Sequence, residues 1–260
     1  MSGRIRHLAA LVLPPLVLGA LFLAAWQTWI IVSDVQPYVV PRPTDIWRSF
    51  IDDFDLVWKA SLVTGMNALV GLVLGSLFGF VIAVLTNRFS FVNELVNPLA
   101  ITIAAVPAVV IVGVLNNMYA LDSQIPRRIM VTISVFFVVF VQVAKGLRQN
   151  DATQMELMRS YAASPFDTLR KVRLPNTMPF FFTGVRTAAP LALIIALVSE
   201  YFGGTQDGLG SKISGTLNSS NKALGFAYVL GGALVGLLFF AGSNLLEHLV
   251  VPWRRRERSR

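Results

Sequence analysis

Apolar residues in this chain fall into six blocks, each close to the length of a bilayer crossing. They run near 8–32, 62–86, 95–115, 129–145, 180–201 and 224–246, with shorter polar segments between them. A helix needs about 20 mostly apolar residues to cross roughly 30 Å of hydrocarbon. The blocks are apolar all round rather than striped, which predicts spanning helices rather than the amphipathic helices of a soluble core. The first block follows Arg4 and Arg6, as a secretion signal would. It is much longer than a signal core of about 7–15 residues and lacks a clear small-x-small cleavage site, so it is expected to be a span.

Composition supports an all-α integral membrane protein. Charged residues make up 14% of the chain and hydrophobic residues 55%, against roughly 25% charged in a soluble domain. There is no cysteine, which excludes disulfides, thiolate metal sites and cysteine nucleophiles. His7 and His248 lie near the ends of apolar blocks and read as interfacial residues, so no metal site is expected. The net charge of +8 reads as basic residues held on the cytoplasmic side of a membrane, not as a nucleic-acid surface. With both termini cytoplasmic, fourteen basic residues fall inside and seven outside, leaving out Arg186. The outer pair Arg127–Arg128 is the awkward feature of that orientation.

Two polar segments are long. In 33–59, Thr44 or Asp45 is expected to cap a helix after Pro41-Arg42-Pro43. Ile46, Trp47, Phe50, Phe54, Val57 and Trp58 then recur at near-helical spacing, which predicts an amphipathic helix lying on the membrane surface. The segment 146–178 is the longest cytoplasmic one. A capping box from Thr153 to Glu156 predicts a short helix, and Ser164-Pro165 predicts the start of a second. Pro175 and Pro179 are expected to break the chain before the next span. The result is a helix–turn–helix with apolar side chains in need of a partner. Gly71, Gly75 and Gly79, with Gly232 and Gly236, give G-x-x-x-G spacings that allow close helix packing within the chain.

The loop sequence resembles the permeases of binding-protein-dependent ABC importers, whose signature is E-A-A, three residues, G, nine residues, I-x-L-P. Glu156, Leu157, Met158, Ala162, Val172, Leu174 and Pro175 fall in that register. Leu157 and Met158 stand in place of the alanines, and Ala162 in place of the glycine. Pro41-Arg42-Pro43-Thr44-Asp45-Ile46-Trp47, Phe182-Thr183-Gly184-Val185-Arg186, Ser199-Glu200-Tyr201-Phe202-Gly203 and Gly208-Leu209-Gly210 resemble further family motifs, in order. Together they are similar to the nitrate/sulfonate/taurine branch, which includes permeases for pyrimidine precursors and flavins. Asn116-Asn117-Met118-Tyr119 departs from that branch, where W-F-G is usual.

The resemblance implies a type I importer permease in the bacterial plasma membrane, forming the pathway for a small polar solute. It implies a second permease chain, identical or different, two ATPase subunits, and an extracytoplasmic binding protein. A coupling helix would dock on the ATPase through Glu156, Leu157, Met158, Arg159, Tyr161, Ala162, Ala163, Ser164, Phe166 and Leu169. The chain has no G-x-x-x-x-G-K-[ST] phosphate loop. ATP and magnesium are therefore expected in the partner subunits, with no cofactor and no catalytic residue here. Glu200 is the one acid inside a predicted span and must face protein or water. It is expected either to line the pathway, or to be held by backbone or by Arg186, or to lie at the interface because the span ends at 201. Arg186 itself is expected to snorkel to the cytoplasmic face, with solute contact as the other reading. Asn116, Asn117 and Gln142 are further pathway candidates. A secondary transporter is the competing class, but it would be expected to show more polar groups near midplane and matching broken helices.

Overall fold

A computed structural model describes residues 2–88, 108–120, 122–149, 151–203 and 206–250. Its helices are α1 (Ser2–Val32), α2 (Pro43–Asp52), α3 (Phe54–Arg88), α4 (Ala108–Met118), α5 (Ile125–Arg148), α6 (Ala152–Ser160), α7 (Pro165–Thr168), α8 (Leu174–Tyr201), α9 (Leu209–Leu217) and α10 (Lys222–Val250). Among the described residues, five helices are long and apolar enough to cross a membrane. Most of the third apolar block, 95–107, lies outside the described residues, and its end forms the start of α4. The long helices present Leu16, Leu18, Phe22, Leu237 and Leu238 outward. Such surfaces belong against lipid, since soluble proteins rarely expose large contiguous apolar patches.

The core is the contact of α5 with α3 on one side and α8 on the other. Val131, Val135, Val139 and Val143 recur every four residues along α5 and are fully buried. They meet Gly71, Gly75 and Gly79 of α3. A Cβ on Gly75 would stand 2.6 Å from the Thr132 carbonyl oxygen and 2.7 Å from the Val135 Cβ. One on Gly79 would stand 2.9 Å from the Phe136 carbonyl oxygen. The glycines thus form a groove for the valine ridge, and dispersion contacts at that range hold helices together where lipid removes most of the hydrophobic drive. Ala188, Ala189, Ala192 and Ala196 give α8 a similarly small face. Gly232 and Gly236 of α10 face Leu197 and Leu193 of α8 at ordinary contact distances.

Several local expectations are corrected. Arg42, not Thr44 or Asp45, is the N-cap of α2, and its side chain makes no cap bond because a guanidinium only donates and cannot accept the free N–H groups of the first turn. Thr44 instead bonds to Gln27 of α1. Phe54, Val57 and Trp58 belong to α3, since the chain turns only once at Asp53. Asp151, not Thr153, caps α6, accepting from the Thr153 N–H. Pro175 and Pro179 do not break the chain. The helix runs from Pro165 to Tyr201, through a π-helical turn at Leu169–Arg173. There the Leu174 N–H reaches back five residues to the Leu169 carbonyl. Pro175, which has no N–H to give the ladder, follows directly after that wider turn, in the first turn of α8.

Gly75→Ala is expected to lower the thermal midpoint of the detergent-purified protein. Helix propensity would favour alanine by about 1 kcal/mol, but overpacking against a backbone carbonyl costs about 1–3 kcal/mol. Gly242→Ala, where nothing lies within 4 Å, should leave the midpoint unchanged or slightly higher.

Candidate functional site

Polar groups gather at the two ends of the antiparallel pair α5 and α8. At the first end, Glu200 closes α8 with 1% of its surface exposed. Its Oε2 accepts from the Thr64 hydroxyl at 2.7 Å and from the Gly210 N–H at 3.1 Å. Its Oε1 accepts from the Asn67 amide at 3.3 Å. The same Thr64 oxygen accepts the Leu209 N–H at 2.8 Å. The start of α9, whose N-cap Gly208 has no side chain to offer, is therefore capped by groups from α3 and α8. Gly208 and Gly210 are required there. A Cβ on Gly208 would collide with the Glu200 carboxylate, and one on Gly210 with the Leu197 carbonyl.

Asn67 extends the network to α5. Its amide donates to Gln124 at 2.8 Å and its carbonyl oxygen accepts from Arg128 Nε at 3.1 Å. Arg127 is fully buried and donates to the carbonyl oxygens of Ser123 and Gly203. The awkward Arg127–Arg128 pair is thereby explained as part of a helix-end network rather than a free charge cluster.

At the second end, α6 and α7 form the helix–turn–helix. The Ala163 N–H bonds the Met158 carbonyl at 3.0 Å and the Ala162 N–H bonds the Arg159 carbonyl at 2.9 Å. That pair of bonds is a Schellman ending, with Ala162 in the left-handed region at φ +49°. Glycine is favoured at this position, which is where the family signature places one. Ser164 caps α7, accepting from the Asp167 N–H at 3.1 Å. Asn176 donates to Gln154 at 2.8 Å and ties α6 to α8. No residue of α6 is buried. Leu157, Tyr161 and Phe166 are 52%, 75% and 68% exposed.

Residues 71–256 match the family model described as the binding-protein-dependent transport system inner membrane component. The chain belongs to that family. This permease is 29% identical, over 76% of its length and 80% of the relative's, to a probable ABC transporter permease protein of Haemophilus influenzae. It is 28% identical, over 85% of its length and 88% of the relative's, to the formylaminopyrimidine transport permease protein ThiX of Halalkalibacterium halodurans. In fold it is similar to a chain of an amino acid ABC transporter crystallised with histidines, at TM-score 0.65 and 16% identity, covering 78% of this chain and 97% of that one. The permease is thus an all-helical, multi-pass membrane subunit of an ATP-binding-cassette importer.

The residues singled out by sequence separate into three groups. Glu156, Leu157, Arg159, Tyr161, Ala162, Ser164 and Phe166 are exposed on α6, its turn and α7. Met158 and Ala163 are half-buried, and Leu169 packs against the core of α3, α5 and α8. Gln142 lies on the α5–α8 seam, 3.3 Å from where a Gly184 Cβ would stand. Asn117 is exposed and donates to the Gly113 carbonyl of its own helix at 2.9 Å. Arg186 does not hold Glu200. It pairs with Glu247 of α10 at 3.0 Å. Glu247 escaped notice because α10 continues past 246, so a second buried acid lies inside a long apolar helix. Thr64 and Asn67 were also missed. Their signal was two polar residues three apart within an apolar block.

Glu200→Ala would leave the Thr64, Asn67 and Gly210 donors without their acceptor. We expect a loss of about 3 kcal/mol or more, since hydrogen bonds to a buried charged group are each worth about 1.5–3 kcal/mol. Glu200→Gln keeps one acceptor and should lose less. Thermal or denaturant unfolding of the two variants in detergent checks the order.

Proposed function

We propose that this permease forms half of a solute pathway, paired with a second permease chain, and that the α6–α7 loop couples it to ATPase subunits carrying ATP and magnesium. The single observation behind the coupling role is the exposure of Leu157, Tyr161 and Phe166 on a loop otherwise rich in charge. Apolar and aromatic side chains that become buried on docking carry most of the affinity of a protein interface. The loop end of α5 and α8 carries Lys145, Arg148, Arg159, Arg170 and Lys171, which supports a cytoplasmic location for that end and for both termini. The Glu200 end then faces outward, where a binding protein delivers solute. The formylaminopyrimidine named for one relative supports a small polar solute as the cargo class. The chain itself is not expected to hydrolyse ATP.

Phe166→Asp and Leu157→Asp, each made in the full transporter, should abolish co-purification of the ATPase and solute uptake while the permease remains folded by its thermal midpoint. Stoichiometric ATPase recovery with both variants would sink the docking reading. Ala162→Gly is expected to be tolerated and to stabilise the turn by up to about 1 kcal/mol, because it relieves a left-handed alanine. Ala162→Val should weaken both the turn and uptake.

A further inference from the structure

A groove between α1, α2 and α10 is left unfilled by the described residues. Its walls include Leu23 and Trp26 of α1, Pro43 and Trp47 of α2, and Phe226 and Ala233 of α10. It holds about 520 Å³, inside the range of roughly 300–1,000 Å³ that small-molecule sites occupy. The groove exists because α1 meets the rest of the described bundle mainly through α2. Gln27 and Thr44 bond the two helices, and a Trp26–Phe226 ring contact at 6.1 Å reaches α10. From Phe226 to Ala233 the groove descends beside α10 for about 10 Å at 1.5 Å per residue.

A second cavity, of about 490 Å³, adjoins the groove and shares Pro43 and Trp47 with it. Arg48 and Asp52 line this one as well. They stand one turn apart on α2, within reach of each other by helical spacing. Neither pairs with the other or with any other described residue. One cation and one anion are thus presented together beside an apolar slot. Trp47, common to both cavities, is of the residue type that anchors at the membrane–water interface.

We propose that the two cavities form one site for a phospholipid with a zwitterionic, primary-amine head group, of the phosphatidylethanolamine type. An acyl chain fills the groove between α1 and α10. The phosphate takes charge-assisted bonds from the Arg48 guanidinium, and the ammonium donates to the Asp52 carboxylate. An anionic head group would meet Asp52 with no counter-charge to offer it. The bound lipid bridges α1 to α10, where protein contacts are few. The site uses none of the residues of the Glu200 network, so it stands whether or not that network borders the solute pathway.

The test uses the assembled complex of permease and ATPase subunits, delipidated in detergent. Its thermal midpoint is followed against the mole fraction of dioleoyl phosphatidylethanolamine in the micelle, with the phosphatidylcholine and phosphatidylglycerol of the same chains as references. The site predicts a saturable rise with phosphatidylethanolamine, half-complete at an about tenfold lower fraction than with either reference. Arg48→Gln should raise that fraction about tenfold. Asp52→Asn should abolish the preference over phosphatidylglycerol. Ala233→Phe, which fills the groove and changes no charge, should remove the saturable rise. Lys59→Gln, an exposed cation elsewhere, should leave it intact. The two α2 variants, on an exposed helix face, keep the test decisive if Ala233→Phe fails to fold. A rise equal for all three lipids, or one that survives Arg48→Gln or Ala233→Phe, means non-specific surrounding lipid only and overturns the site. No rise with any lipid overturns it equally. So does loss of a second permease chain from the Ala233→Phe complex in native mass spectrometry, which would make the groove a contact between chains.

Discussion

A carboxylate buried in apolar surroundings has to be surrounded by donors, and much of the Glu200 end of this permease follows from that requirement. Lipid supplies no water to a helix end, so polar groups there must find protein partners. Glu200 uses one oxygen for Thr64 and Gly210 and the other for Asn67. Those bonds fix where α3 stands beside α8 and where α9 begins. Asn67 in turn engages Gln124 and Arg128, so the start of α5 is placed by the same residue. Removing the acid would orphan donors on two separate elements, α3 and α9, while replacing the whole network by apolar groups would lose the registration of their ends.

Between the ends, shape does the work that polarity does at Glu200. The glycine groove of α3 accepts the valine ridge of α5, and the alanine face of α8 closes on the other side. A ridge repeating every four residues and a groove repeating every four residues interlock, and the polar bonds at Glu200 then select one of the registers that the shared repeat allows. Farther along α8, the Arg186–Glu247 pair joins α8 to α10. It is an ion pair between residues 38% and 6% exposed at their side chains, so it contributes more to fixing which faces meet than to net stability.

The chain's long helices were legible because hydropathy integrates over twenty residues and tolerates local error. The α6–α7 loop was legible because its turn chemistry is local. Ser164, Pro165 and the left-handed position at Ala162 sit within a few residues of each other. What escaped was set at longer range or by geometry that composition does not carry. Thr64 and Asn67 matter because α8 ends opposite them, more than 130 residues later. Glu247 lay one residue beyond the expected end of its span. Pro175 and Pro179 suggested a break, yet a widened turn beside them keeps the helix continuous. Arg127 looked out of place by charge rules and is at home once Gly203 is folded back onto it.

That continuity has a mechanical consequence. From Pro165 to Tyr201 the chain is a single helix of 37 residues, about 55 Å long at 1.5 Å per residue. It carries Phe166 in its first turn, at the loop, and Glu200 in its last. Moved as one body, a helix of that length turns rotation into displacement: a tilt of about 5° moves one end roughly 5 Å relative to the other. Because Glu200 joins α8 to α3 and α9, such a stroke cannot be absorbed by the rod alone. It must either drag the cap of α9 along or break the bonds that hold it.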